Sequence, residues 1–227
     1  GQVPDIEKYL KSSGVDQYYM DGQEADDVIA SLAEKYSKEA ETVIIYSNDK
    51  DLLQLVKTGK IVVYKPKVAA SPEKFYDEEA VKEQFGVGPE KLACFRSFDG
   101  DPSDNISGVP RVPRKIIASL VNEYTTIDKI YENLHSKTLT EFQRSAIENS
   151  RELVATNLKI VALNRDLKSI ICNKSDYQVD EIKKLFDKYE IKSLKPNDII
   201  EIFSSSLNVR YSDPRQTIKV ESFSLFD

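Results

Sequence analysis

The chain has a single histidine, His135, and only two cysteines, Cys94 and Cys172. Zinc sites of the Cys/His type and a disulfide framework are therefore excluded on ligand count alone. Any Ser–His–Asp or Cys–His catalysis would have to be built on His135. No window approaches roughly 18 consecutive apolar residues, which excludes a helical membrane span. There is no signal-peptide pattern, no internal repeat and no low-complexity tract. With so few cysteines, the expected compartment is the cytoplasm. An initiating methionine is also missing, since the chain opens Gly1-Gln2. That start is expected for a processed product, an engineered fragment or a piece of something longer.

What is present is an ordinary globular mixture. Of 227 residues, 40% are apolar and 31% charged, enough for one or two domains with a real core. The net charge of −6 is unevenly spread. Residues 1–110 carry 13 basic and 21 acidic side chains, a net of −8, while residues 111–227 carry 19 and 17, a net of +2. A uniformly acidic surface repels nucleic acid, so the acidic half calls for a specific account.

Periodicity predicts an opening helix around 4–10. A second follows from Asp21, with Ala25, Val28, Ile29, Leu32, Ala33 and Tyr36 on one face. The β-branched run 42–47 reads as a buried strand, 51–56 as a short helix and 61–64 as another strand. That alternation predicts an α/β layer with a parallel sheet. Beyond Asp77 the strand signal stops. Helices are predicted over 77–85, 89–98, 114–124, 139–163, 180–189 and 196–207, followed by an aperiodic tail from 208. The expected division is an incomplete α/β core over 1–106, a helical lobe over 107–207 and the tail over 208–227.

Three acidic clusters stand out: Glu24, Asp26 and Asp27; Asp49 and Asp51; Asp101 and Asp104. Each has a plain structural reading. Asp21 and Glu24 fit a capping box, Asp49 and Asp51 could cap the short helix after them, and the Asp99–Asn105 loop could be turn chemistry. Taken together they suggest more. Ligands of open α/β sheets sit beyond the carboxyl ends of the strands, where Asp49 and Asp51 must lie. Seven carboxylates converging on that edge would repel one another unless cations sat among them. Oxygen-only donors suit Mg²⁺ or Mn²⁺. With those seven charges matched by metal, the first half keeps a net of only −1, and the electrostatic objection to nucleic acid largely disappears.

Gly22-Gln-Glu24-Ala-Asp26-Asp27, Ser47-Asn-Asp49-Lys-Asp51-Leu-Leu-Gln-Leu and Gly100-Asp101-Pro-Ser-Asp104-Asn-Ile, in this order, resemble the 5′ nucleases. That family comprises flap endonucleases and 5′→3′ exonucleases, including the 5′ nuclease domain of DNA polymerase I and phage RNase H-type exonucleases. The resemblance implies a 5′ nuclease/PIN-like parallel-sheet core followed by a helical lobe with a helix–three-turn–helix-like element. It implies that Glu24, Asp26, Asp27, Asp49, Asp51, Asp101 and Asp104 coordinate two or more Mg²⁺ ions, with Mn²⁺ as a substitute. The implied reaction is metal-assisted hydrolysis of phosphodiesters in DNA flaps, nicks or RNA primers during replication or repair.

Two departures matter. Where the family has Gly-Ile-Gly in its DNA-gripping turn, this chain has Arg111-Val112-Pro113. Proline offers no amide, which speaks against K⁺-assisted gripping of the backbone. Arg111, Arg114 and Lys115 could supply direct phosphate contacts instead. The family also begins with an Asp-bearing strand and a helical arch, both absent here. A parallel sheet lacking its first strand would expose an apolar edge, so the missing segment is an expected partner, in cis or in trans. Glu221-Ser-Phe-Ser-Leu-Phe-Asp resembles the peptides that dock into sliding clamps, with Leu225 and Phe226 as anchors. The rival reading is a catalytically inactive DNA-binding or scaffold fragment. A different Mg²⁺ phosphohydrolase on an α/β fold is a third. His135 is expected to be an exposed helix-end residue, and Cys94 and Cys172 packing residues.

Overall fold

The structure is a computed structural model that describes residues 2–68, 72–136 and 139–193. In chain order its elements are α1 (Val3–Ser12), β1 (Gln17–Tyr19), α2 (Ala25–Tyr36), β2 (Val43–Tyr46), a 3-10 turn (Asp51–Leu55), β3 (Ile61–Lys65), β4 (Lys74–Tyr76), α3 (Glu78–Phe85), α4 (Pro89–Asp99), a 3-10 turn (Pro102–Asp104), α5 (Arg114–Tyr124), α6 (Ile127–Glu132), a 3-10 turn (Leu134–Ser136), α7 (Glu141–Asn149), α8 (Arg151–Val161), β5 (Ile171–Asn173) and α9 (Val179–Lys188). They fall into two compact units, Gly1–Val28 with Leu167–Asp227, and Ile29–Asp166.

In the first unit the segment that holds α1 and β1 meets the one that holds β5 and α9. β1 pairs antiparallel with β5, Gln17 opposite Asn173 and Tyr19 opposite Ile171. Tyr9 of α1 stacks on Phe186 of α9 with ring centroids 6.2 Å apart, over the buried Ile182. Charged pairs run along the outside of these helices. Lys188 donates to Asp5 at 2.6 Å, the Tyr189 hydroxyl donates to the same carboxylate, and Lys8 pairs with Glu181 at 2.6 Å. Exposed pairs of this kind add little stability each. The apolar Tyr9–Phe186–Ile182 contact holds the helices together.

The second unit carries the sheet, ordered β2-β3-β4. β2 and β3 are parallel, from Val43 opposite Ile61 to Tyr46 opposite Tyr64, and β4 is antiparallel to β3. Ile45, Ile61 and Val63 point into a core that takes in Ala30 and Ala33 of α2, Leu92, Phe95 and Phe98 of α4, and Ile117 and Val121 of α5. Phe95 and Phe98 are almost wholly buried, and Phe95 meets Phe85 edge-on at 6.2 Å. Truncating such a ring to alanine costs about 3–5 kcal/mol. Among the described residues β2 stands at one edge of the sheet, with Ile44 and Tyr46 exposed.

Helix boundaries follow local chemistry. Asp77 caps α3 by accepting from the Ala80 amide at 2.8 Å, and Gly86 ends it at φ +77°. Pro89 opens α4 and Gly100 closes it. Thr140 and Gln143 form a reciprocal capping box on α7.

Several expectations are corrected. The stretch 139–163 is two helices, α7 and α8, broken at Ser150, whose hydroxyl turns back onto the Ala146 carbonyl at 2.8 Å. β1, β4, β5 and α6 carry no periodic signal, because elements of three to six residues are too short to show one. α2 begins at Ala25, so Asp21 and Glu24 are not its cap and third residue. Its buried face also takes in Ala30 and Ser31, while Ala25 is exposed. The expected helix over 196–207 lies outside the described residues.

Candidate metal and nucleic-acid site

At the carboxyl end of β2 the chain makes a tight succession of turns. The Ser47 hydroxyl accepts from the Asp49 amide at 3.0 Å, and Asp49 Oδ1 accepts from the Asp51 amide at 2.8 Å. The N-cap of the following 3-10 turn is Lys50, which makes no side-chain cap, so the plain capping reading of Asp49 and Asp51 does not hold; Asp49 closes an Asx turn instead. The turn also sends Asp51 inward to the end of α4.

The loop after α4 is closed at its root. Asp101 and Ile106 exchange backbone hydrogen bonds of 2.9 Å in both directions, and the Val109 amide donates to the Phe98 carbonyl at 2.7 Å. Behind it, the buried Asn157 of α8 donates to the Ser97 and Ser107 carbonyls at 2.9 and 2.8 Å. Asp101 Oδ1 accepts from the amide of Ser103 at 2.8 Å and from its hydroxyl. The turn reading of this loop is thus correct.

Two of the sequence motifs meet here, joined by Arg96, a residue that the motif reading missed. Its side chain is only 3% exposed. Nε lies 2.8 Å from Asp51 Oδ1, and Nη2 lies 2.5 Å from Asp101 Oδ2 and 3.6 Å from Asp104 Oδ2. Lys50 adds a second cation 3.7 Å from Asp101 Oδ2. Among the described residues neither Asp51 Oδ1 nor Arg96 Nε has a hydrogen-bond partner, so their contact is ionic rather than directional. A signal for Arg96 was available: it lies four residues after Leu92 and next to Phe95, which puts a charge on the apolar side of α4.

The electrostatics reflect this crowding. Burial pushes the Asp51 carboxyl up to about 6, Arg96 pulls it back, and Asp49, Asp104 and Asp101 push it further up. Burial also raises Asp101, but the Ser103 hydroxyl and amide together with Arg96 outweigh it and hold the carboxyl at about 2. Asp104 is about half exposed and Asp49 is exposed.

Glu24, Asp26 and Asp27 belong to the first unit. The Glu24 carbonyl accepts from the Val28 amide, and Asp26 and Asp27 occupy the first turn of α2. Among the described residues, no group of three or more His, Cys, Asp or Glu side chains is arranged to hold one metal ion. The oxygen-only donors of the Asp51–Asp101–Asp104 cluster suit a hard divalent cation in kind. Their arrangement is closed around the Arg96 guanidinium.

The three basic residues proposed for DNA behave differently from one another. Arg111 is exposed and holds φ +57°, so the turn keeps a left-handed backbone where the resemblance places glycine. Arg114 pairs with Asp99 at 3.0 Å and lies over the rings of Phe85 and Phe95 at 5.8 and 5.3 Å. Lys115 is exposed beside it, and both line a cleft with Gln84, Gly86 and Asn122. His135 is exposed, 3.4 Å from Glu148. Cys94 is buried, with its thiol pushed up to about 11 by that burial. Leu225 and Phe226 lie outside the described residues.

Comparison with known proteins agrees with this frame. Residues 1–86 match the 5′-3′ exonuclease N-terminal resolvase-like domain, and residues 87–185 match the 5′-3′ exonuclease C-terminal SAM fold. The chain belongs to the 5′-3′ exonuclease family. It is 34% identical over 198 residues to the 5′-3′ exonuclease of Aquifex aeolicus, covering 85% of this chain and 65% of that protein. It is 35% identical over 133 residues to DNA polymerase I of Bacillus subtilis, covering 59% of this chain and 15% of that one. The chain thus spans just under two thirds of the Aquifex protein's length.

Among solved structures, the T5 D15 protein co-crystallized with metal ions superposes with a TM-score of 0.56 at 23% identity, covering 81% of this chain and 62% of that one. The catalytic core of Rad2 in complex with a DNA substrate gives 0.52 at 13%, covering 89% and 68%. Both likenesses speak to the fold. Among the described residues, no helix is long and apolar enough to cross a membrane.

Proposed function

We propose that this chain is the greater part of a divalent-metal-dependent 5′ nuclease, hydrolysing phosphodiesters of DNA flaps or RNA primers in the cytoplasm. Residues 1–106 serve as its core and 107–207 as its DNA-binding lobe. The observation that carries the reading is the meeting of Asp51 with Asp101 and Asp104, motifs fifty residues apart that belong to no common secondary-structure element. Family membership supports it.

In this reading Asp49, Asp51, Asp101 and Asp104, with Glu24, Asp26 and Asp27, are the residues that would hold Mg²⁺ or Mn²⁺. A bound ion supplies an activated water and offsets charge on the phosphate oxygens. The chain's own part is positional. The Asp101–Ile106 bridge and Asn157 fix the loop, Arg96 and Lys50 keep the carboxylates together, and Arg111 and Lys115 offer charge to the DNA backbone. The open edge of β2, flanked by Ile44 and Tyr46, suits a further strand from the remainder of the protein, in cis or in trans. Leu225 and Phe226 are the proposed anchors for a sliding clamp.

The closed arrangement around Arg96 favours one alternative, a fragment that binds DNA without cutting it unless that remainder is supplied. Both are tested by cleavage of a 5′-labelled flap in Mg²⁺ or Mn²⁺, with and without the remaining N-terminal segment. Wild type is compared with Asp49→Ala and Asp104→Ala, whose side chains are exposed enough to change without emptying the core. Cleavage that needs metal and falls at least about a hundredfold in both variants supports the nuclease. DNA binding by the chain alone, with cleavage appearing only once that segment is supplied, supports the fragment.

A further inference from the structure

We infer that Arg96 is a built-in cation of the Asp51–Asp101–Asp104 cluster, standing where a divalent ion's charge would otherwise be required and competing with metal for these carboxylates. The inference rests on the proposed metal dependence and deepens it. Arg96 reaches the cluster from within the protein. It projects from α4 between the buried Phe95 and Ser97 and is itself buried. Its guanidinium gathers oxygens from the turn after β2 and the loop after α4, as an ion between those segments would. Asp101 is committed on both sides, Oδ2 to Arg96 and Oδ1 to Ser103, so it could meet a metal only by giving up one of these partners.

Charge balance points the same way. With Arg96 and Lys50 in place, these three carboxylates and the adjoining Asp49 keep two unmatched negative charges. One divalent ion matches them, and a second would find no charge left to offset. Without Arg96 the same carboxylates would keep three unmatched charges and draw divalent ions more strongly. Arg96 is therefore a positioning residue that assembles this half of the site in the absence of metal and weakens metal binding to it.

The test is Mn²⁺ binding by calorimetry, with melting curves in EDTA and in Mn²⁺, on the whole chain and on Arg96→Met, whose side chain has similar length and no charge. The expected result is Mn²⁺ binding at least about tenfold tighter in Arg96→Met, or one additional ion bound. Its melting temperature in EDTA should be lower than wild type and should rise more on adding Mn²⁺. If Arg96→Met does not fold, Arg96→Lys takes its place. It keeps the charge but loses the fork that spans several carboxylates, so tighter Mn²⁺ binding is again expected. Equal Mn²⁺ affinity, number of ions and Mn²⁺-induced stabilisation in variant and wild type would overturn the inference and leave the metal reading intact. No Mn²⁺ binding by either folded protein would overturn both.

Discussion

Replacing Gly100 with alanine tests whether the Asp101 loop is locked at its root. Gly100 has φ +74° and ψ −178°, a region that only glycine occupies without strain. Forcing an L residue into it costs about 1–3 kcal/mol. A Cβ there would also lie 2.4 Å from the Gly108 amide nitrogen and 2.5 Å from the Ile106 carbonyl oxygen, both backbone atoms that cannot rotate away. Relieving such a contact inside a packed structure costs about another 1–3 kcal/mol. Gly59 is the control: φ is +68°, but nothing lies within 4 Å of a Cβ built on it. Its alanine variant should lose only about 1 kcal/mol, the ordinary left-handed strain. Urea unfolding of the three proteins reads the difference. Gly100→Ala should be less stable than Gly59→Ala by about 3 kcal/mol, the middle of those ranges, or roughly 6–12 °C in melting temperature. The loss should also reach the site, because Asp101 follows Gly100 directly and is fixed by the bridge to Ile106. Two variants within about 1 kcal/mol of each other would mean that the Gly100–Gly108 apposition is loose and does not hold Asp101 in place.

Further outcomes follow from the same geometry. Asp51 titrates near 6 in the folded protein against 3.8 ordinarily. Between those values the folded state holds a proton that the unfolded chain has lost, so stability falls as pH rises through this window, by up to about 3 kcal/mol above it. Urea unfolding in EDTA from pH 4 to 7 should show the stability of wild type falling relative to Asp51→Asn, and a constant difference would contradict the assignment. Asp101, held at about 2, acts in the opposite sense: its stabilisation is present above about pH 4 and is lost as pH falls towards 2. Asn157→Leu leaves the Ser97 and Ser107 carbonyls without this buried donor and should cost about 2–4 kcal/mol, measured as a lower urea midpoint at unchanged slope. Arg111→Gly returns a left-handed position to glycine, so stability should stay within about 1 kcal/mol. The salt dependence of DNA binding should nevertheless lose about one unit of slope. Arg114→Ala, by contrast, should show a lower melting temperature, because Arg114 is tied to Asp99 and packed over Phe95.

Much of this protein was legible in one dimension. The acids of the three motifs, the parallel pair β2 and β3, and the helices from α3 to α5 all follow from short-range signals: apolar spacing, β-branched runs and the capping residues Asp77 and Pro89. These signals are local because a helix or a buried strand repeats its burial every few residues. The resemblance to 5′ nucleases rested on the same local motifs. Tertiary structure decided the rest. The pairing of β1 with β5 joins residues about 150 positions apart, and no local pattern encodes a partner that distant. The closure of Gly100 against Gly108 needed backbone angles that composition does not carry. The sequence by itself specified where acidic residues recur and that such a density of carboxylates needs compensating charge. Only the folded chain brought Arg96 to the Asp51, Asp101 and Asp104 side chains, because which cation neutralises a carboxylate depends on distance and burial in space rather than on order along the chain.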